Sequence, residues 1–422
     1  MQNDALSFIA NISFVDVPLI DVSLVDISLF AAILIILLSW GHYLRNRLDF
    51  KRFPTHHGKE DASSIGQLSQ SSISQLTFCI PARNEAHNLE RHLPLFCQTG
   101  CDIVVVDDES TDHTRDVLAT LQNQYLNLKV LQSAPRPKGW LGKTWACQQA
   151  ADQATSPWIC FVDADVWCSE SFLNRFVPYF EQSSAQHDGL ITIWPQQVLG
   201  TFWEVVVIPH VYVALLTFLP IRYQARKPRW MPSALYKRMA YQFAAANGQW
   251  MTFHKDTYQA IGGHETVKHH IVEDVELAKR VVRQGYSLQM YKGVDDVFCR
   301  MYQSPQQMWE GFMKNFFAGF GYNTPLFVFM GLLHIVVYLI PPITLLSGMT
   351  IPVALHTWGM AALATFLAIG YRGTVNWSQK WPPLSSPLHF LGVLWFEALA
   401  IQILWNQMRG KPTVWKGRKI EL

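Results

Sequence analysis

The sequence predicts an α/β protein with a mostly parallel sheet, an N-terminal transmembrane anchor and C-terminal transmembrane helices. Three observations predict it. Strand-like runs (LTFCIPA, CDIVVVDD, LKVLQ, WICFVDAD) alternate with helix-like stretches between residues 76 and 303, the pattern of a parallel sheet with crossover helices. Residues 27–44 (ISLFAAILIILLSWGHYL) form an uncharged run long enough to span a bilayer. Residues 315–371 contain no Asp, Glu, Lys or Arg, which suits a pair of membrane crossings.

Composition agrees. Only 16% of the 422 residues are charged, against roughly 25% in soluble globular chains, and the concentration of that deficit in residues 315–371 excludes a soluble monomer. Hydrophobic residues make up 50%, which excludes disorder. A net charge of +2 argues against nucleic acid as a partner. The seven cysteines are odd in number and form no C-x-x-C. They read as reduced, buried thiols on the cytosolic side, not as a disulfide framework or zinc ribbon.

Taken in order, residues 1–45 are the anchor. Asp4, Asp16, Asp21 and Asp26 lie before or at the start of the apolar run, and Arg45, Arg47, Lys51 and Arg52 follow it. Basic residues prefer the cytoplasmic side, so the N-terminus is expected outside. Residues 46–75 are a linker, rich in Ser and Gln from residue 56 onward. Residues 76–314 are a cytoplasmic catalytic domain. Inside it, residues 205–219 (VVVIPHVYVALLTFL) are short for a crossing and interrupted by Pro209. Residues 315–408 are a membrane region, with crossings expected at 326–346 and 351–371 and with Arg372 and Lys380 in the next cytoplasmic loop. A third apolar segment, 388–405, is expected to be re-entrant or interfacial, because residues 409–422 form a basic, cytoplasmic tail. Within it Glu397 is either a functional ionisable group or a helix-packing contact.

The chemistry-bearing residues stand at strand ends. Asp163 and Asp165 follow WICFV, where two carboxylates can hold a divalent cation and, through it, a diphosphate. Asp107 and Asp108 end IVVV, and Arg83, Asn84 and Glu85 follow TFCIPA. Ligands of open α/β sheets bind at such ends, though a turn or helix cap is an equally plain role for these residues. Lys143 lies in a basic Gly-containing loop, PKGWLGKT, whose G-x-x-G-K-T spacing is not that of a P-loop but can still meet a phosphate. Glu273 and Asp274 open an amphipathic helix after His264, His269 and His270, and a carboxylate there can cap the helix or act as a general base. One of the histidines is expected near the Asp163/Asp165 cation. Trp309, Phe312, Phe316, Phe317 and Phe320 share one helical face and are expected at the membrane interface or in a core.

In this order, PARNE, VVVDDES, DAD, the Gly-Gly-His264 segment and EDVEL resemble the inverting family 2 glycosyltransferases with the glycosyltransferase-A fold, over residues 76–314. PKGWLGKTWA, ANGQW, RMYQSPQQMWEGFMKN and VWKGRK further resemble membrane-bound bacterial carotenoid glycosyltransferases, most of all the cyanobacterial type acting on the 2'-hydroxyl of myxol-like carotenoids. The resemblance implies a nucleotide-sugar donor of the UDP-glucose or GDP-fucose kind and a carotenoid acceptor in the membrane. It implies Mg2+ or Mn2+ on Asp163 and Asp165, Asp274 as catalytic base, and donor contacts from Arg83, Glu85, Asp107, Asp108 and Lys143. Glu273, His270, Arg300 and Trp309 are further donor or acceptor contacts. Many relatives carry arginine before the tryptophan of a Q-x-x-R-W motif. Here Met308 precedes Trp309, and Arg300 or Lys314 is expected to supply the charge. A hopanoid, a ceramide-like lipid or a polyprenyl phosphate is the alternative acceptor, a polysaccharide synthase the next reading, and a non-catalytic scaffold the last.

If Asp163, Asp165 and Asp274 form one site on the cytoplasmic side, residues 205–219 cannot cross the membrane. They and the Trp309 helix are expected to guide a lipid acceptor to that site.

Overall fold

A computed structural model describes residues 23–54, 68–183, 189–411, 414–415 and 418–419. The first three N-terminal acids, most of the Ser/Gln-rich linker and most of the basic tail lie outside the described residues.

Eight strands form one mixed sheet: β1 (Leu76–Ala82), β2 (Asp102–Asp107), β3 (Leu128–Gln132), β4 (Trp158–Val162), β5 (Val166–Cys168), β6 (Gly189–Gln197), β7 (Trp250–His254) and β8 (Ser287–Cys299). Their order is β3-β2-β1-β4-β7-β6-β8-β5. β1, β2, β3 and β4 pair in parallel, as do β6 and β8. β7 is antiparallel to both its neighbours, and β5 is antiparallel to β8. The parallel half is made of the four runs recognised in the sequence. Interior strands covered on both faces are continuously apolar, and β4 is buried at every position.

Helices α1 (Leu24–Asp49), α2 (Ala86–Cys97), α3 (Thr114–Gln124), α4 (Gly142–Gln153), α5 (Glu170–Ser183), α6 (Phe202–Phe218) and α7 (Glu273–Arg283) accompany the sheet. They are followed by α8 (Pro305–Gly319), α9 (Thr324–Tyr338), α10 (Ile340–Ser347), α11 (Leu355–Ser378) and α12 (His389–Met408). The domain begins earlier than residue 76. Ser69 caps a short helix, Gln70–Ile73, and Ser71 and Ser72 donate to Glu181 of α5. All seven cysteines are buried and free.

Among the described residues, three helices are long and apolar enough to cross a membrane: Leu24–Asp49, Thr324–Ser347 and Pro383–Met408. This differs from the sequence expectation, in which 351–371 crosses and 388–405 does not. α11 starts at Leu355 and continues past residue 371, so Arg372 lies within a helix and not in a loop. Its side chain is fully buried and donates to the Val205 and Val206 carbonyls at 2.6 and 3.1 Å. The reason is local to α6. Pro209 has no N–H, so the carbonyl four residues back, that of Val205, has no helical donor. Arg372 provides one.

α6 is enclosed more than a surface helix would be. Val206, Val207, Ile208, His210, Tyr212, Val213 and Leu216 are buried against α1, α11 and α12. Gly392 lets α12 approach, since a Cβ there would stand 3.0 Å from the Val206 carbonyl oxygen. The aromatic face of α8 is covered as well: Trp309 and Phe312 meet Trp395, Phe316 meets Phe396, and Phe316, Phe317 and Phe320 meet Phe327. Glu397 accepts from His334 Nδ1 at 2.7 Å, a contact between α12 and α9.

Candidate active site

The C-terminal ends of β1, β2 and β4 open on one side of the sheet, and two clipped loops shape the rim. Asn84 and Glu109 follow β1 and β2 with φ of 54° and 53°, the left-handed region that side chains other than glycine occupy sparingly. Asn84 N–H donates to Ser110 Oγ (2.9 Å), and its Oδ1 accepts from Thr111 N–H (2.8 Å). Arg83 Nη1 donates to the Asp108 carbonyl at 2.7 Å. These bonds hold the two strand tips together.

The two aspartates after β2 differ. Asp107 is fully buried; its oxygens accept from Ser110 N–H (3.0 Å) and Arg115 Nε (2.9 Å). That engagement makes Asp107 a brace for the turn into α3. Asp108, 3.9 Å from Arg83 Nη1, stands at the rim with Glu85, whose backbone N–H donates to Thr114 Oγ1.

Lys143 is in the first turn of α4. Its ammonium reaches both oxygens of Asp163 (2.9 and 3.0 Å) and Glu273 Oε1 (3.1 Å). Three segments far apart in the chain therefore meet at one point. The loop before α4 is held in place by Leu141 N–H and Thr144 Oγ1, which both donate to the Lys268 carbonyl. Burial works to raise the Glu273 carboxyl, but the Lys143 and Lys314 ammonium groups outweigh it and hold it below the usual glutamate range. Lys314, on α8, thus brings positive charge to this cluster.

Asp274 is set by a loop that sequence reasoning left without a role. Gly248 N–H donates to Asp274 Oδ2 at 2.7 Å, and Val275 N–H donates to Oδ1 at 2.8 Å. A Cβ on Gly248 would lie 3.2 Å from Oδ2, so the close approach favours glycine. The next residue, Gln249, accepts from Asp163 N–H through its carbonyl at 3.2 Å. One loop, signalled only by the Asn-Gly-Gln of ANGQW, thereby positions both Asp163 and Asp274. Burial and the neighbouring Glu273 charge raise the Asp274 carboxyl to about 6, against the pull of Lys143. A carboxyl there is deprotonated at neutral pH yet basic enough to take a proton.

The other expected residues have partners of their own, and the Glu273 and Lys143 charges act on His264. His264 bonds Tyr258 OH through Nδ1 (2.7 Å) and packs on Phe161; burial holds it neutral, at about 4. His270 stacks on His269 and has Glu276, Lys279 and Arg280 as charged neighbours. Arg300 is engaged by Glu204 through two contacts of 3.2 and 3.0 Å, which fix the start of α6. Trp309 Nε1 donates to Gln402 of α12 at 3.0 Å, so it docks α8 onto α12.

For the cation, the fit lies in the donor set. Among the described residues no three His, Cys, Asp or Glu side chains are grouped to hold an ion. Asp163 and Asp165 stand at the β4 tip, and the Glu85 charge acts on Asp163. All three offer oxygen. One or two carboxylates completed by substrate phosphates suit Mg2+ or Mn2+.

The Glycosyl transferase family 2 profile matches residues 77–233, and that of Glycosyl transferase family 21 matches residues 227–422. The 4,4'-diaponeurosporenoate glycosyltransferase of Staphylococcus aureus strain MRSA252 is 26% identical over 359 residues, 82% of this chain and 88% of its own. The enzyme of that name from strain USA300 is 26% identical over 361 residues, with the same coverage. A mannosyltransferase structure from Pyrobaculum calidifontis, in complex with GDP-Man and Mn2+, aligns over 91% of this chain and 99% of its own with a TM-score of 0.46 and 16% identity. The chain is a glycosyltransferase whose residues 77–233 match family 2, with a mostly parallel, glycosyltransferase-A-like sheet and, among the described residues, three helices apolar enough to span a membrane.

Proposed function

We propose that the protein transfers a sugar from a nucleoside diphosphate sugar to the polar end of a membrane-embedded carotenoid, with inversion at the anomeric carbon. The carotenoid class is supported by the relatives' named activity over most of the chain. The observation that carries the mechanism is Asp274, fixed by two backbone N–H groups and raised to about 6 beside the Lys143 cluster. Asp274 accepts the proton of the acceptor hydroxyl as its oxygen attacks the anomeric carbon. The bond from that carbon to the diphosphate oxygen breaks, and the nucleoside diphosphate leaves. With one base and no protein nucleophile, a single displacement inverts the centre. Lys143 and Lys314 offset the charge gathering on the leaving group. A divalent cation on Asp163 and Asp165 would supply further neutralisation of the diphosphate.

The acceptor group is a hydroxyl, such as the 2'-hydroxyl of a myxol-type carotenoid. A carboxylic acid acceptor would arrive already ionised at neutral pH and would need no base. The donor is of the UDP-glucose or GDP-fucose type, and the catalytic domain faces the cytoplasm, where such donors are made. Asp274→Asn tests the reading. Transfer to a hydroxylated carotenoid should fall by about 10²–10⁴ in membranes holding normal amounts of the protein. Transfer within tenfold of wild type removes Asp274 from the chemistry.

A further inference from the structure

The segment between α6 and the Asp274-holding loop has no part in the chemistry above, yet its composition is unusual. Residues 205–255 contain no Asp or Glu, while residues 222–238 carry Arg222, Arg226, Lys227, Arg229, Lys237 and Arg238. The structure ties this strap to the end of the anchor. Asn46 Nδ2 donates to the Leu219 carbonyl at 2.7 Å, and Asp49 pairs with Arg226 (2.6 Å) and Arg222 (3.6 Å). Two of the basic groups are thereby neutralised by α1, and Lys227 donates to the Met231 carbonyl. Arg229, Lys237 and Arg238 are exposed and form no ion pair among the described residues. Beside them Trp230 is 70% exposed and Leu235 43%.

The strap has a defined shape: Tyr236 OH donates to the Tyr223 carbonyl, and both rings pack on Phe243. Its far end rests on α7, with the Arg283 guanidinium 4.1 Å from the Tyr241 ring centre. It then runs directly into Gly248 and the bond to Asp274.

We propose that this strap lies on the anionic headgroup surface of the bilayer that holds α1, with Trp230 and Leu235 at the interface and Arg229, Lys237 and Arg238 on lipid phosphates. The position follows from continuity with α1, whose cytoplasmic end is marked by Arg45 and Arg47. Charge complementarity selects the occupant. An acid-free, basic segment at this height meets the negative surface potential of the leaflet, and tryptophan and long basic side chains are the residues that settle at headgroup level. Through Tyr241 and Gly248 the lipid contact would bear on the position of α7 and Asp274.

The test uses the full chain in vesicles of phosphatidylcholine alone, or with about a third phosphatidylglycerol. Leu235→Cys is labelled with a bimane; the native thiols are buried. Quenching by a headgroup-level nitroxide lipid should rise several-fold with phosphatidylglycerol, and R229Q/K237Q/R238Q should abolish the rise. Iodide reaching the label equally in both vesicles overturns the proposal, as does protection that arises only on adding an acidic soluble protein. Sugar transfer should also rise with phosphatidylglycerol in the wild type and stay flat in the triple variant. Lipid-dependent quenching without any transfer would overturn the transferase reading and leave the strap in place.

Discussion

The acid limb of the rate profile should belong to Asp274 and move in opposite directions when its two charged neighbours are removed. A general base works deprotonated, so activity is full above its pKa and lost as pH falls through it. With the carboxyl at about 6, about nine-tenths is active at pH 7 and about one-tenth at pH 5. Glu273→Gln removes the negative neighbour that raises Asp274, while burial, the larger cause, remains. A downward move of about one unit would bring the active fraction at pH 5 to about one-half, a fivefold gain relative to the plateau. Lys143→Met removes the charge that pulls Asp274 down. An upward move of about one unit would reduce the active fraction at pH 6 from about one-half to about one-tenth. The assay is transfer of radiolabelled sugar to a hydroxylated carotenoid in membranes, with kcat/KM taken across the acid range. Normalising each variant to its own plateau removes any effect of Lys143 on donor affinity. Coincident limbs in the three proteins, or shifts of the same sign, would refute the reasoning.

Gly248→Ala pushes a methyl to 3.2 Å from Asp274 Oδ2. The carboxylate must give by a few tenths of an ångström, so kcat should fall by less than the factor of about 10² that a misplacement of about 1 Å costs, with little change in donor KM, measurable by steady-state transfer. Arg372→Met leaves the Val205 carbonyl opposite Pro209 without a donor, which should cost about 1–3 kcal/mol and lower the Tm of the detergent-solubilised protein. Chelation with EDTA should abolish transfer, and Mn2+ or Mg2+ should restore it, as the proposed ion on Asp163 and Asp165, completed by the diphosphate, requires; unchanged activity in EDTA would leave Lys143 and Lys314 as the neutralising groups.

The parallel half of the sheet was legible because β1, β2 and β4 are buried on both faces and read as unbroken apolar runs. β8 was not. It carries Lys292, Asp295 and Asp296, and its pairing with β6 shifts register at Pro195/Gln196, so no single period marks it. Glu273–Asp274 and Asp163–Ala164–Asp165 were visible as short acidic motifs at element boundaries. What joins them was not: the Lys143 bridge and the Gly248 amide depend on tertiary contacts between segments remote in the chain. The Asp107 brace is local by contrast, since its partner Arg115 lies only eight residues on. The membrane region misled through Arg372, whose charge suggests a loop until the carbonyls left by Pro209 are considered.

That last contact bears on the order of synthesis. The eight-stranded sheet is complete in sequence at Cys299, but the groups that satisfy and cover α6 come from α11 and α12. At roughly 5–20 residues per second, the ribosome needs about 5–20 s more to produce them. During that interval α6 has an unmatched carbonyl and an uncovered apolar surface next to a bilayer. The cover of α6 is therefore completed only once α11 and α12 have been made, and a version truncated after α8 should be held by chaperones or degraded rather than released as a soluble enzyme.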